Sequence, residues 1–277
     1  MTVCRLIVLC ALSVFLPACE KSDHDGHQSS SPDAAPGATV AAASGCSLVM
    51  GWDPWEPYQY QIDGTHVFGL DVDLLTAVVH NADCTLEFKK GSWAELLAML
   101  NEGEVDVLAG ATQTSEREEF AHFTSAYRDE EFLVYVLADR FESLAAVTFE
   151  EMAEQGMKIG VIDGYLYGEP VASYQDDSRF AQQFHYSPMS EISISLLLDG
   201  EVDALIEDKY VGASIIRRKN LSDSIRPHPV RFDTDDVHFM FSRASVDEAT
   251  FERINQSLDR LLEDGQIQII LAQYQNQ

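Results

Sequence analysis

The sequence is poor in basic residues: 18 lysines and arginines stand against 46 aspartates and glutamates, giving a formal net charge of −28 at pH 7. Nucleic acids and anionic lipid head groups attract basic surfaces, so this imbalance argues against both as partners. Long apolar runs are also lacking, since no stretch approaches the ~20 residues that a membrane-spanning helix needs. The composition predicts a self-repelling body in aqueous surroundings that binds no nucleic acid.

The N-terminus has the order of a secretory signal. Arg5 precedes the short apolar run of residues 6–15, and small residues follow it. Residues 16–19, Leu-Pro-Ala-Cys, resemble a bacterial lipobox, in which proline is an unusual occupant. We predict a lipoprotein signal peptide over residues 1–18 and a lipid anchor on Cys19, with the inner or outer bacterial membrane left undecided.

Residues 19–45 are rich in Ser, Ala, Gly, Pro and Asp and have no periodic apolar pattern, which predicts a flexible tether. His24 and His27 lie within it, and in an acidic linker we interpret them as solvated side chains. The sequence therefore gives no metal site and no cofactor site.

Two cysteines of the body stand at the starts of predicted strands. Cys46 precedes one short apolar run and Cys84 precedes another. Neighbouring parallel strands bring their starts together, and an oxidising compartment permits a disulfide. We predict a Cys46–Cys84 disulfide, with two free buried thiols as the alternative.

Strand-like and helix-like segments alternate along the roughly 230 residues that follow Cys46, enough for one large domain or two small ones. The first part is predicted as strands at 48–52, 86–89 and 105–108 with helices at 71–81 and 93–101. An apolar strand at 132–137 is followed by a second series: helix 149–155, strand 158–162, helix 192–198, strand 204–207, helix 210–219, strand 237–242 and two closing helices. The restart predicts an α/β fold with two lobes.

Residues 105–117 combine a short apolar strand with a loop rich in hydroxyl groups. The strand is predicted to end at Gly110, after which Thr112 offers a hydroxyl and Arg117 a planar guanidinium. Such a guanidinium pairs bidentately with a carboxylate, and ligands favour the carboxyl ends of parallel strands. We interpret the stretch as a carboxylate clamp; the alternative is a turn with a solvated arginine.

The order of motifs along the body resembles the solute-binding proteins of polar-amino-acid ABC transporters, the bacterial extracellular family 3. The matching segments are residues 52–58, 69–74, 93–97, 103–106, 112–117, 120–127, 202–208 and 262–274. The resemblance implies the type II periplasmic-binding-protein fold, in which each lobe is a mostly parallel sheet covered by helices and two crossing strands join the lobes. It places residues 46–136 and 240–277 in one lobe and 137–239 in the other.

The resemblance also implies roles for residues at matching positions. Arg117 and Thr112 would hold the α-carboxylate of an amino acid, and the Gly110 region would add main-chain contacts. Asp208 would receive the α-ammonium, so that the ligand itself draws the two lobes together. From the residues alone, the alternative is that Asp208 is the N-cap of the helix that begins near Tyr210.

Aromatic residues complete the implied site. Trp55 and Trp93 match positions that wall the ligand side chain, while Asp53 either faces a cationic side chain or lies in a turn. The family usually has glycine and small hydroxyl residues after the strand at 158–162, but here Gly164 is followed by Tyr165. We predict that both bind the ligand and expect the bulky side chain of Tyr165 or of Leu166 to reshape or shrink the pocket.

The sequence thus predicts a monomeric, lipid-anchored periplasmic binding protein that captures an amino acid or similar small zwitterion for an ABC transporter permease. Two other functions remain open. One is an enzyme on the same fold, resembling cyclohexadienyl dehydratase, although no pattern marks a proton donor. The other is a ligand-sensing partner of a membrane receptor.

Overall fold

The computed structural model describes residues 45–234 and 236–274, so the predicted signal peptide, Cys19 and nearly all of the tether lie outside the described residues. The strands are β1 (Cys46–Trp52), β2 (Tyr60–Gln61), β3 (Val67–Phe68), β4 (Cys84–Lys90), β5 (Val107–Thr112), β6 (Ala121–Phe123), β7 (Glu131–Leu137), β8 (Ile159–Ile162), β9 (Phe184–Ser187), β10 (Ala204–Asp208), β11 (Ile225–Asp233) and β12 (Val237–Ser242). The helices are α1 (Leu70–His80), α2 (Trp93–Glu102), α3 (Ser115–Glu118), α4 (Phe141–Leu144), α5 (Phe149–Glu154), α6 (Val171–Asp176), α7 (Ser190–Leu198), α8 (Lys209–Arg218), α9 (Glu248–Glu263) and α10 (Gln266–Tyr274). No helix among these residues is long and apolar enough to cross a membrane.

The first sheet has the strand order β4-β1-β5-β12-β6, with parallel pairing from β4 to β5 and antiparallel pairing beyond. Helix α1 covers one face because its apolar residues recur at helical spacing, and Leu74, Leu75, Val78 and Val79 are buried as predicted. Helix α2 contributes Trp93, Leu96 and Leu100 to a separate apolar cluster. The predicted βαβαβ order of this part is confirmed.

Cys46 and Cys84 form a disulfide at the start of the parallel pair β1 and β4. They occupy the same register position of the two strands, with Cα atoms 4.6 Å apart. The predicted disulfide is confirmed, and it encloses α1 within its loop.

Strand β5 starts later and continues further than the sequence predicts, since it runs from Val107 to Thr112 and does not end at Gly110. The reason is its antiparallel partner β12, which pairs Val237 with Thr112 and shifts register between His238 and Met240. Gly110 lies at this irregularity with φ +73°, a conformation that disfavours any residue with a Cβ.

The second sheet has the order β11-β7-β10-β8-β9, in which β8 pairs in parallel with β9 and β10 while β7 pairs antiparallel with β10 and β11. Strand β7 therefore belongs to the second sheet, although the predicted boundary at residue 136 placed it in the first lobe. Strand β12 begins at Val237 in the first sheet, ahead of the predicted boundary at residue 239. Hydrogen-bonded partners decide sheet membership, and a uniformly apolar strand does not reveal them.

The chain passes between the two sheets along paired segments. Tyr127 donates its backbone N–H to the Val237 carbonyl at 3.1 Å, and Val237 donates to the Arg128 carbonyl at 2.9 Å. Thr124 and Phe239 make a similar backbone hydrogen bond of 3.1 Å. These backbone hydrogen bonds hold the two predicted crossing segments side by side. They place Arg128 and the residues after it at the junction of the sheets.

Candidate functional site

Residues from both sheets line one cavity. It contains most of the predicted ligand-binding residues, namely Trp55, Trp93, Gly110, Thr112, Arg117 and Tyr165. It is also lined by Asp53, whose role the sequence left open, and by Leu166, which was expected with Tyr165 to reshape the pocket. No role was assigned from the sequence to the other lining residues, Gln59, Ala109, Glu130 and Phe132. Side chains fill the cavity so completely that about 20 Å³ remains free. That space is close to the minimum that one water molecule requires.

Arg117 reaches the cavity from α3. Thr114 caps that helix by accepting the Arg117 backbone N–H at 3.2 Å, which fixes the start of the side chain. The guanidinium donates through Nη1 to the Thr112 carbonyl and through Nη2 to the Gly164 carbonyl, both at 3.0 Å. It also lies 5.7 Å from the centre of the Trp93 ring. The predicted clamp residues Arg117 and Thr112 are thus brought together.

The charge of Arg117 has no carboxylate partner. Only 8% of the residue is exposed, yet it forms no ion pair with any residue of the described chain. Burial lowers its pKa to about 10, while Glu130 and Glu116 oppose this change, so the side chain is cationic at neutral pH. A buried cation that contacts only neutral carbonyl groups is unfavourable unless an anion joins it. The arrangement therefore suits a carboxylate.

The Gly164 carbonyl connects the turn after β8 of the second sheet to the Arg117 guanidinium. Its oxygen accepts from the Trp93 indole Nε1 at 3.1 Å as well as from Arg117. Gly164 has φ +77°, and an added Cβ would lie 3.2 Å from the Trp93 ring. The turn after β8 thus presents a carbonyl oxygen to Arg117, so two donors from one lobe meet an acceptor from the other.

The Tyr165 side chain fills part of the cavity. Its ring meets Trp55 and Trp93 edge to face, with centroids 6.1 Å and 6.0 Å away, and lies 6.4 Å from Phe132. Such edge-to-face contacts are favourable beyond the area they bury. The expectation that Tyr165 shrinks the pocket agrees with the small free space.

Two buried carboxyl groups, Asp53 and Glu130, face the same cavity. Burial raises the pKa of Asp53 to about 7, against the effect of a hydrogen bond from its own backbone. Burial likewise raises the pKa of Glu130 to about 8, although the cation of Arg128 lowers it. The cavity therefore combines one cation with two acids that titrate near neutral pH.

Arg128 is a buried charge that the sequence reasoning missed. Its Nε and Nη2 donate to the two carboxylate oxygens of Asp71 at 3.1 Å and 3.2 Å. The guanidinium stacks on Tyr58 at 4.0 Å from the ring centre, and Nη1 lies 3.9 Å from Glu130. In the sequence it stands within a charged run that follows Tyr127, where a solvated side chain is the ordinary interpretation. The only signal was Asp71, a buried acid in the first turn of an apolar helix.

The Gly110 backbone N–H, which was expected to face a ligand, donates instead to the Tyr127 hydroxyl at 2.8 Å. A Cβ at Gly110 would come within 3.1 Å of both Arg128 and Trp55. Gly110 consequently provides the close packing between β5 and the Asp71–Arg128 pair, and this packing accounts for the glycine at that position.

Asp208 does not line the cavity. It caps α8, since its Oδ1 accepts the backbone N–H groups of Tyr210 at 2.8 Å and Val211 at 3.0 Å. Its Oδ2 accepts the Tyr58 hydroxyl at 3.2 Å, and burial raises its pKa to about 6. The N-cap interpretation is confirmed. A carboxylate has about four lone-pair positions, so binding of an ammonium group stays a prediction.

Comparisons with known proteins agree with this architecture. The profile of the bacterial extracellular solute-binding proteins, family 3, matches residues 48–277. A relative from Neisseria gonorrhoeae with the name "Probable histidine-binding protein" is 25% identical over 252 residues, covering 90% of this chain and 87% of the relative. An ancestral arginine-binding protein, solved with arginine, superposes with a TM-score of 0.70 at 21% identity, covering 82% of this chain and 97% of that structure. A histidine kinase sensor domain similar to periplasmic binding proteins superposes with a TM-score of 0.69 at 21% identity, covering 82% and 95%.

Proposed function

Because the chain belongs to the bacterial extracellular solute-binding proteins of family 3, we propose that it captures an amino acid or similar small zwitterion between its two lobes and delivers it to an ABC transporter. Hinge-like closure around a ligand is a standard motion of two-lobed binding proteins. Nothing in the proposed role requires turnover of the cargo, and no catalytic residue is assigned.

The observation that carries the proposal is the unpaired charge of Arg117. A carboxylate in place of the Gly164 carbonyl would accept a charge-assisted, bidentate pair from the guanidinium, which is stronger than the present neutral contacts. Thr112 lines the cavity beside it and would add its hydroxyl. These two residues are the proposed carboxylate site.

The opposite charge of the cargo would meet a buried carboxylate that lies outside the lining of the cavity. We assign the α-ammonium to Asp208, whose carboxylate lies beyond Tyr58, and the cargo side chain to the aromatic walls Trp55 and Trp93. Asp53 and Glu130 lie within the cavity itself and favour a cationic or hydrogen-bond-donating side chain. The names of relatives that refer to histidine and arginine support an amino acid of that kind.

Thermal unfolding of the purified protein against the common amino acids, amines and aromatic keto acids tests the proposal. A ligand that binds only the native state raises the midpoint, and the shift grows with its concentration. We expect a shift with one or a few amino acids, confirmed by calorimetric titration, with the ligand recovered chemically unchanged. No shift with any amino acid would reject an amino acid as the cargo, and conversion of a cyclohexadienyl acid would reject the binding-protein assignment in favour of an enzyme.

Membrane attachment is a second part of the proposal. We propose that residues 1–18 form the signal peptide and that Cys19 carries the lipid that holds the body at a bacterial membrane, with residues 19–45 as tether. Expression with and without Cys19→Ser tests this. The parent protein should fractionate with membranes and into detergent, whereas the variant should appear in the soluble periplasmic fraction. Equal fractionation of both proteins would reject the anchor.

A further inference from the structure

Building on the proposed function, we infer that the Gly164–Tyr165 segment is an internal occupant of the binding site and that the cargo must displace it. Tyr165 then determines affinity as a competitor of the cargo, in contrast to a wall that contacts it. The two alternatives predict opposite effects when the tyrosine side chain is removed.

The first support is the group that accepts a hydrogen bond from Arg117. Trp93 Nε1 and Arg117 Nη2 converge on the Gly164 carbonyl oxygen at 3.1 Å and 3.0 Å. Convergent donors from one lobe on a single oxygen of the other are what a carboxylate oxygen of a cargo would meet. Here the protein's own main chain supplies that oxygen and links the two lobes through the clamp.

The second support is the position of the Tyr165 ring. The ring lies among Trp55, Trp93 and Phe132, and the cavity retains about 20 Å³ of free space. One water molecule needs roughly 10–15 Å³ by the same kind of measure. The Tyr165 ring therefore occupies space that the side chain of a cargo would need.

The third support is where the ring can go. Outside the cavity, a larger groove of about 490 Å³ is lined by Arg117, Phe120, Gly164 and Tyr165 together with residues of α2. It adjoins the filled cavity through Arg117 and Tyr165, which line both. A modest rotation of the turn after β8 would therefore transfer the ring to this groove and uncover the guanidinium.

Energetics favour the exchange for the right cargo. A carboxylate is a better acceptor for the Arg117 guanidinium than a neutral carbonyl, because two opposite charges and two parallel hydrogen bonds are then paired. The cargo must also replace the ring contacts that Tyr165 gives up. Whenever the competent state is only a fraction of the population, the apparent affinity falls by that fraction. Tyr165 thus selects cargoes that supply both a carboxylate and a side chain able to fill the aromatic box.

Calorimetric titration of three variants with the amino acid identified by thermal unfolding tests the inference. We expect Tyr165→Ala to bind at least tenfold more tightly than the parent protein. Tyr165→Phe keeps the ring and should stay within about threefold of the parent. Tyr186→Ala, which removes a tyrosine that is 54% exposed on β9, is the matched control and should not change affinity. Weaker or unchanged binding by Tyr165→Ala would overturn the inference.

Small-angle X-ray scattering gives a readout that needs no gain in affinity. The ligand-free parent protein should be as compact as the cargo-bound protein, whereas ligand-free Tyr165→Ala should be more extended and should contract when cargo is added. A parent protein that is extended without cargo would overturn the inference even if Tyr165→Ala failed to fold. A compact ligand-free parent, with no amino acid bound by parent or variant, would support the internal occupant and reject the proposed cargo class.

Discussion

Arg117 and Arg128 are two buried arginines, each 8% exposed, with opposite surroundings. Arg128 makes two hydrogen bonds to the Asp71 carboxylate and stacks on Tyr58. The guanidinium of Arg117 donates to the carbonyl oxygens of Thr112 and Gly164 and lies over the Trp93 ring, but it has no carboxylate partner among the described residues. Equal burial therefore goes with complete pairing in one case and with an unpaired charge in the other.

The difference separates a structural charge from a functional one. A buried ion pair with good geometry is complete in itself, and its cost appears when one partner is removed. A buried cation without a carboxylate gains from any anion that reaches it. Pairing within the chain, which burial alone does not reveal, marks Arg117 as the candidate for ligand binding.

The prediction with the largest expected effect compares the stability of variants at the two arginines. Arg128→Ala should lower the free energy of unfolding by about 3–5 kcal/mol, because it leaves the buried Asp71 carboxylate without its cation. Arg117→Ala leaves no carboxylate unpaired and should cost less. Urea unfolding of both variants measures the difference, and equal losses would show that the two arginines do not divide in this way.

The pair itself is tested by combining Arg128→Ala with Asp71→Asn. If the ion pair causes the loss, the double variant should be more stable than the sum of the single losses implies, by an interaction energy of roughly 0.5–3 kcal/mol. Strict additivity would place the effect of Arg128 in its stacking on Tyr58 instead.

The second prediction concerns affinity. Arg117→Ala should lose about 2–5 kcal/mol of binding free energy for the identified amino acid, because the ligand carboxylate would be left unpaired in a closed cleft. Arg117→Lys keeps the charge but lacks the planar fork, so its affinity should fall between that of the parent and the alanine variant. Calorimetric titration measures all three proteins. Normal binding by Arg117→Ala would reject the carboxylate clamp.

Much of the fold follows from local patterns. Apolar residues recur at helical spacing in α1, and the start of β1 and the start of β4 each carry a cysteine, so the helix and the disulfide are predictable. The membership of β7 in the second sheet is not, because an apolar strand gives the same pattern in either sheet. The continuation of β5 past Gly110 likewise depends on its pairing with β12.

In the site, too, local features can be predicted from the sequence and long-range ones cannot. Arg117 and Thr112 lie within one short motif, so the sequence brings them together. The Asp71–Arg128 pair joins residues that are 57 positions apart, and only the packed structure shows that they meet. The Gly164 carbonyl is a main-chain group, and its role as an acceptor cannot be predicted from the residue type. Long-range pairing and main-chain geometry are thus the parts that sequence reasoning did not reach.

The third prediction uses Glu130, which lies 3.9 Å from Arg128 and raises the pKa of Arg117. Burial raises the pKa of Glu130 from 4.5 to about 8. Between these values the folded state holds a proton that the unfolded state has released. The contribution to stability is therefore fully present below about pH 4.5 and is lost as the pH rises toward 8.

Glu130→Gln should accordingly flatten the decline of the unfolding free energy between pH 5 and pH 8, by at most about 1.4 kcal/mol per pH unit for one group. Glu207 and Asp53 also have raised pKa values and remain in both proteins, so the difference between parent and variant isolates Glu130. Parallel stability curves for the two proteins would show that Glu130 is ionised over this whole range and stabilised by the arginines.

The prediction with the smallest expected effect tests whether Asp208 binds a ligand or has only a structural role. Its oxygens already accept two backbone N–H groups of α8 and the Tyr58 hydroxyl, which leaves one lone-pair position for an ammonium group. Asp208→Ser retains a good N-cap while removing the negative charge. We expect nearly unchanged stability and about a tenfold loss of affinity, since one charge-assisted hydrogen bond is removed. Because Ser preserves the cap, unchanged affinity would leave Asp208 as a structural group like Arg128 and would assign the ammonium to the acids that line the cavity.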